Sequence, residues 1–524
     1  MQFNLCQITV LSILVAVINR ANAANILYIA TITSKSHTIW HRPLIHAMAA
    51  KGHNVTVIAV DVEQSPPPNV TYIEIEGAYE AFAQDAEEFM AMEMNEPFTM
   101  ISEMKQFTLA FCKYLIGSKG FAQFKAYPDD FPVDVILNDY LFGSCLSGYA
   151  QHKFGRPPYI GLTAYLAQVT TLTMTGSFSF PSLIPHHMYD AKQPMSFPQR
   201  FWNFIYYIYE EISKYSQILP AQNLILKQIS PNIPNIGELE RDTRLVLLNS
   251  NPIIQLSEPM MPNVIPVGGM QIIPAKSLPD DLQRLVAESK LPIILFSLGT
   301  NARSDKLGSA TIEAILNAMR ELSEFQFLWK FESELREFAI PKNVYIRQWM
   351  PQNDLLAHPN VRLFITHSGL LSTQEAVWHG VPIVGFPMFA DQYANIEYCV
   401  QQGVGIRLSI RAFESQQLVD AVREMMGNSR YTENMTKLSK AFRDQSEHPL
   451  DRAVWWVEWV LRNPDARMMQ SSAIDLHWFA KYSIDVIMVI VLAFVSLVGL
   501  ECWIVPKLAM WRRSRAVEKK KKQE

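Results

Sequence analysis

The succession of apolar and polar positions divides the chain into blocks with different periods. The first is an apolar run from Ile8 to Ile18, followed by Ala21, Asn22 and Ala23. A short apolar core ahead of small residues is the pattern of a cleaved secretory signal, assigned to residues 1–23, although no Lys or Arg precedes the core and Arg20 follows it. Next, Ile26-Leu-Tyr-Ile-Ala is a continuous apolar strand. A loop with Ser36 and His37, an amphipathic stretch from Arg42 to Ala50, the turn Lys51-Gly52-His53 and a second apolar strand complete a β-loop-α-β unit. Strands that are apolar throughout, rather than alternating, predict a parallel sheet covered on both faces. A further strand, Val133 to Leu137, ends at Asn138 and Asp139. Residues 165–235, rich in Phe, Tyr, Met and Pro with weak periodicity, read as helices and loops inserted into this first unit.

A second α/β pattern begins near Leu291. Pro292 to Thr300 is a strand running into a small-residue turn, Phe325 to Lys330, Val344 to Arg347 and Arg362 to Thr366 are further strands, and Ala310 to Leu322 is a helix between them. The stretch Leu256 to Pro274, with four prolines and Gly268-Gly269, reads as the linker. Two doubly wound units in series, residues 24–262 and 263–483, place a cleft between strand ends. The last block, Ile484 to Val505, is long enough to cross a bilayer, with Asp485 and Glu501 near its ends.

Charge changes the picture only at the C-terminus. The 524 residues carry a formal charge of −4, but residues 506–524 hold eight Lys or Arg against two Glu. The overall balance gives no reason to expect a nucleic-acid partner. By the positive-inside rule the tail is cytoplasmic, and the body, led across by the signal, is lumenal in a single-pass type I topology. Lys521 and Lys522, fourth and third from the end, match a dilysine pattern for retrieval to the endoplasmic reticulum. With Cys6 in the signal and Cys502 in the span, only Cys112, Cys145 and Cys399 remain, an odd set without paired spacing that predicts neither a disulfide framework nor a zinc site. Of the sequons at Asn54, Asn69 and Asn434, the first reads as part of a buried strand, which leaves the other two as glycan candidates.

The densest chemistry lies in Trp349-Met-Pro-Gln352, Thr366-His367-Ser368-Gly369, Ser372-Thr373-Gln-Glu375 and Asp391-Gln392. A strand ending at Thr366 delivers His367 and the Gly369 backbone to its carboxyl end, where a helix starting near Ser372 offers unpaired N–H groups and the positive end of its dipole: an anion site. Ser297, Gly299 and Thr300, at the end of the first strand of this unit, can approach the same anion. Ser372 and Glu375 also have the spacing of a capping box, in which the glutamate only ties down the helix start. Asp391 alone reads as a turn former and Trp349 alone as core.

From Trp349 to Gly405 the chain resembles, almost without gaps, the signature of the UDP-glycosyltransferases, membrane-bound enzymes that conjugate small lipophilic molecules, in its insect form. The resemblance implies a GT-B fold of two Rossmann-like domains facing across a cleft, plus one C-terminal transmembrane helix, with acceptor on the first domain and UDP-sugar on the second. It implies that Trp349 stacks on uracil, Gln352 and Glu375 bind the ribose, His367, Gly369 and Ser372 serve the diphosphate, and Asp391 and Gln392 hold the sugar hydroxyls. It further implies that His37 is the catalytic base and Asp139 the carboxylate that orients it. An imidazole, with an ordinary pKa of about 6.5, takes a proton from a hydroxyl at neutral pH when a carboxylate fixes its tautomer. His41, His46 and His53 lie close by, and His37 is preferred because it sits in the loop at a strand's carboxyl end. The chain departs from the family's His-Gly-Gly at Ser368, which weakens donor binding if that position needs a positive φ.

The expected activity is inverting transfer of a hexose, glucose favoured and glucuronate possible, from a UDP-sugar to a hydroxyl of a small lipophilic acceptor, as in detoxification or hormone conjugation. The alternative is a catalytically silent family member that acts as a carrier or partner subunit. No metal is expected, since the chain has no Asp-x-Asp motif, and the UDP-sugar is a co-substrate rather than a cofactor. Trp455, Trp456 and Trp459 are available for packing between domains or between subunits of a homo- or hetero-oligomer.

Overall fold

The structure is a computed structural model that describes residues 23–84, 96–141, 144–411, 413–465 and 467–523. All but the last residue of the expected signal lies outside them. The chain forms two compact units, one ending at Gln470 and the other Ser471–Glu524.

The first unit contains two parallel sheets. One is built from β1 (Asn25–Ala30), β2 (Asn54–Ala59), β3 (Val70–Glu74), β4 (Val135–Asp139), β5 (Tyr159–Thr163), β6 (Thr243–Leu248) and β7 (Val264–Pro266), in the order β3-β2-β1-β4-β5-β6-β7. The other takes β8 (Ile293–Ser297), β9 (Gln326–Lys330), β10 (Val344–Arg347), β11 (Val361–Thr366), β12 (Ile383–Gly385) and β13 (Gly405–Arg407), in the order β10-β9-β8-β11-β12-β13. Each order reverses once, between β1 and β4 and between β8 and β11, and such a reversal opens a crevice at the carboxyl ends of the strands. The helices that matter for the site are α1 (Lys35–Ala50), α2 (Pro97–Gly117), α3 (Cys145–Lys153), α4 (Phe197–Ser213), α5 (Leu370–His379), α6 (Gln392–Gln401) and α7 (Pro449–Arg462).

Apolar strands become central strands because both faces are covered. In β1, Leu27 and Ile29 enter one core while Ile26, Tyr28 and Ala30 enter the other. In β8, Ile294 and Phe296 divide from Ile293 and Leu295 in the same way. The two sheets are joined by more than their linker. Late in the sequence, α7 returns to the first sheet and buries Ala453, Val454, Val457 and Val460 beside Trp40, Leu44 and Met48 of α1. Trp456 and Trp459 pack on this core, whereas Trp455 stays exposed.

Four expectations are corrected. Ser36 and His37 lie in the first turn of α1 rather than in a loop, because the helix starts right after Ser34. Val264–Pro266, within the expected linker, is the edge strand β7, paired with β6. Asn54 is exposed at the start of β2, so burial does not set it apart from the other sequons. Cys112 of α2 and Cys145 of α3 form a disulfide with their Cα atoms 5.9 Å apart. Their separation of 33 residues carries no local signal, and only the fold brings them to bridging distance.

The second unit contains α8 (Ile484–Lys521), 38 residues with a most apolar window of mean hydropathy 2.5, long and apolar enough to cross a membrane. It runs on through Pro506 into the basic tail instead of ending at Val505.

The burial of α7 predicts that Val457→Ala destabilises the protein by about 2 kcal/mol, whereas Trp455→Ala costs about 0.5 kcal/mol or less. Denaturant melts of the two variants check this, and equal losses would contradict the role given to the returning helix.

Candidate functional site

The first half of the site is built where β1 and β4 diverge. Asp139 closes β4 and is buried, while His37 enters from the first turn of α1. His37 Nδ1 lies 2.5 Å from Asp139 Oδ2. Burial pushes the Asp139 carboxyl up, but its electrostatic attraction to the His37 ring and hydrogen bonds from His37 and His41 outweigh it and hold the group well below the usual carboxylate range. An ionised Asp139 accepts the Nδ1 proton, which leaves His37 Nε2 bare as a proton acceptor. The ring of Tyr165 stands 6.1 Å from that of His37, and 6.3 Å from that of His187. His187 in turn lines a pocket together with Met104, Leu141, Met174 and Met188, whose wall also carries Lys105, Glu210, Lys214 and Glu240. A pocket of mixed apolar and charged lining therefore lies beyond Tyr165 from His37.

The second half is built at the carboxyl ends of β8 and β11. Ser297 closes β8, and the turn at Gly299 follows with φ 84°. His367 follows β11 with its imidazole between two glycines. A Cβ on Gly299 would lie 2.4 Å from His367 Cε1, and one on Gly369 2.4 Å from Nε2, so both positions must be bare for the ring to fit. Burial, then the nearby charge of Lys330, lowers the His367 pKa to about 4. At neutral pH the ring is thus a neutral hydrogen-bond donor. Lys330 is itself held by the Gly299 carbonyl at 2.9 Å and by Glu332, with its Nζ 5.9 Å from the Trp349 ring. Trp349 is 54% exposed, which removes the reading of this residue as core. Thr300 extends the Gly299 turn, and its neighbour Asn301 donates to Ser34 Oγ at 2.9 Å, closing the gap to the first half just ahead of α1.

Gly369 caps α5 without any side-chain cap, so the first-turn N–H groups are available to an anion. The capping-box reading of Ser372 and Glu375 is overturned, because the helix begins at Leu370 and Ser372 lies inside it. Gln352 Nε2 instead donates to Ser372 Oγ at 3.0 Å and to Glu375 Oε2 at 2.7 Å, and so gathers three of the expected residues. Burial raises Glu375 to about pKa 7. At Ser368 the positive φ raised as a condition is present, at 64°. Its side chain does not enter the cradle, however. The Oγ lies 2.3 Å from where a Cβ on Gly385 would be, so it points back toward β12. Asp391 precedes α6 and is raised to about pKa 6 by burial, while Gln392 Oε1 accepts from the backbone N–H groups of Met388 and Phe389.

Several participants carry a weaker sequence signal. Asn395 Nδ2 donates to Asp391 Oδ2 at 2.9 Å and to the Ser368 carbonyl at 3.0 Å, and only its i+4 position after Asp391 hints at this. His41, one turn after His37, donates from Nε2 to the same Asp139 oxygen at 2.7 Å. Lys330 and Asn301 have no sequence signal at all. Two groups among the described residues have metal-ligating side chains in proximity, His37 with His41 and Asp139, and His186 with His187 and Glu210. Ligand atoms about 2 Å from a tetrahedral ion lie about 3.3 Å apart. The separations of 2.5 and 2.7 Å around Asp139 and of 2.6 Å between His186 Nε2 and Glu210 are instead those of shared protons.

Residues 24–523 match the family model described as UDP-glucoronosyl and UDP-glucosyl transferase. UDP-glucosyltransferase 2 of Dactylopius coccus is 29% identical, covering 99% of this chain and all of that protein. UDP-glucuronosyltransferase 2B7 of Homo sapiens is 28% identical over 93% of each. Among solved structures, the glycosyltransferase VinC in complex with dTDP matches 84% of this chain and all of its own at 16% identity, with a TM-score of 0.58. The fold is thus GT-B.

The packing around His367 predicts that Gly299→Ala weakens UDP binding tenfold or more. Gly308→Ala, with a similar φ of 81° but nothing within 4 Å of the new Cβ, provides the control. Calorimetric titration distinguishes them, and equal affinities would contradict the cradle.

Proposed function

The chain belongs to the UDP-glucuronosyl and UDP-glucosyl transferase family, and from that premise we propose that it transfers a hexose from a UDP-sugar to a hydroxyl of a small lipophilic acceptor, with inversion at the anomeric carbon. The observation that carries this reading is the pairing of His37 Nδ1 with a buried, ionised Asp139 at the switch point of the first sheet. In the reaction His37 Nε2 takes the proton of the acceptor hydroxyl, the oxygen bonds to the anomeric carbon, and the bond to the UDP oxygen breaks with its electron pair leaving on UDP. Asp139 stabilises the imidazolium that forms. The charge arriving on the diphosphate is met by the free N–H groups of α5, by His367 and by the turn Ser297 to Thr300, groups already in place before the reaction. Gln352 and Glu375 face the ribose, Trp349 covers the uracil, and Asp391 with Gln392 addresses the sugar hydroxyls. None of these steps calls on a divalent cation.

Glucose is favoured over glucuronate on charge grounds. A carboxylate at C6 needs a cation to offset its desolvation. The two candidates in the first domain are already engaged, Arg42 with Glu63 at 2.5 Å and Lys35 with Asp61 at 3.5 Å. Arg407 is likewise held in a bidentate pair by Asp190. The apolar helix α8, the basic tail and Lys521-Lys522 support an enzyme anchored in the endoplasmic reticulum membrane with its body in the lumen.

His37→Ala is expected to reduce turnover by at least a thousandfold while UDP affinity stays within a few-fold, as rates and calorimetry on the same preparation will read. Undiminished turnover would remove His37 as base. With equal concentrations of the two donors and a panel of phenols, the glucoside should exceed the glucuronide, and the yield should survive EDTA. An excess of glucuronide, or rescue by added magnesium or manganese, would contradict the respective assignment. Replacing Lys521 and Lys522 with Ser should release the protein from the reticulum in microscopy, and unchanged retention would assign sorting to another segment.

A further inference from the structure

Asp139 does not serve His37 alone. Its Oδ2 receives His37 Nδ1 at 2.5 Å and His41 Nε2 at 2.7 Å, while from the described residues Oδ1 has a long contact of 3.4 Å with the Leu141 N–H. Behind His41, the hydroxyl of Tyr28 lies 2.8 Å from Nδ1. Tyr28, His41 and Asp139 are all buried, and they come from β1, α1 and β4, the three elements that meet at the switch point.

The direction of each hydrogen bond is determined. An ionised carboxylate only accepts, so His41 Nε2 carries a proton. Burial, the largest influence on His41, lowers its pKa and keeps the ring neutral, so Nδ1 is bare and Tyr28 must be the donor. Burial and the Asp139 charge raise the phenol's pKa well above its ordinary value, which keeps the proton on Tyr28. The result is a one-way chain from Tyr28 to His41 to Asp139, ending on the oxygen that orients the base.

We propose that Tyr28 and His41 are positioning residues that set the basicity of His37 by sharing the Asp139 oxygen that binds it. A hydrogen bond donated by His41 draws negative charge off Oδ2 and so weakens its hold on the His37 imidazolium. Without that second donor, the carboxylate would favour a protonated His37, and a protonated ring accepts nothing from the acceptor hydroxyl. Among the described residues, the other titratable groups facing His37 are Tyr165 and, across the cleft, Asp391. Tyr72 faces Tyr28. None of these shares the Oδ2 contact.

This inference rests on His37 as the base, and pH profiles of kcat/KM for the full-length membrane enzyme test both claims separately. In His41→Leu the acidic limb should move upward by about one pH unit, a roughly tenfold loss at pH 6 with a much smaller loss at pH 8.5. In Tyr28→Phe, which removes the hydrogen bond donated to His41 Nδ1 and so weakens the donation from His41 Nε2 to Asp139, the limb should move in the same direction by less. His41→Gln, which retains an N–H donor, should return it toward the parent position. UDP affinity, read on the other domain, reports whether each variant is folded, and Tyr28→Phe carries the test if His41→Leu is not. A uniform loss at every pH with an unmoved limb would reduce His41 and Tyr28 to filling space and overturn the proposal. If His37→Ala kept the parent's acidic limb, the base assignment itself would fail.

Discussion

The geometry of the cleft depends on one buried amide. Gln374, on the helix that also carries Ser372 and Glu375, donates from Nε2 to Asn249 Oδ1 at 2.9 Å and accepts from Gln271 Nε2 at 2.8 Å and from the Gly269 N–H at 3.2 Å. Asn249 in turn donates to the Ala164 carbonyl at 2.7 Å. The partners follow β5, β6 and β7, so a side chain of the second domain is fastened to the carboxyl edge of the first. Removing a buried amide that satisfies several others strands each of them at about 1–3 kcal/mol. Helix α5 is therefore held in register with the sheet that carries Asp139. The returning helix α7 and the contact between Ser34 and Asn301 add two further points of attachment.

Given that frame, the chemistry divides by dielectric. At the switch point the first domain buries the ionised Asp139 and surrounds it with donors, which leaves the His37 imidazole as the group there able to accept a proton. The second domain buries His367, Glu375 and Asp391, and burial pushes each toward its neutral form, with pKa values of about 4, 7 and 6. At neutral pH His367 is then neutral, Glu375 is divided between its two forms and Asp391 keeps most of its charge, a mixture of donors and acceptors able to address sugar hydroxyls, beside the anion site that the free N–H groups and dipole of α5 offer.

The fold was legible because apolar runs on both faces of a strand have no other home, and because such strands end at polar residues such as Asp139 and Thr366. Residues at strand ends were legible for the same reason. What depended on tertiary approach was not: Cys112 reaches Cys145 only through the packing of two helices, and Gln374 carries no pattern that marks it as an interdomain anchor. Helix boundaries misled in a specific way. The capping spacing of Ser372 and Glu375 is real, but Gly369 starts the helix earlier and frees the glutamate for Gln352. The loop that the sequence pattern places around His37 is the first turn of α1. His37 and His41 share one helix face at i and i+4, and that spacing already implied a common partner.

The central claim is that base and donor meet across this cleft for a single displacement, without a covalent sugar on the protein. Proton NMR of the freshly formed glycoside, made from an α-linked UDP-sugar, tests it most directly. One in-line attack by an oxygen deprotonated by His37 gives a β-linked anomeric proton with a large coupling to its neighbour. An α-linked product would require two displacements or attack from the leaving-group face, and would contradict the account.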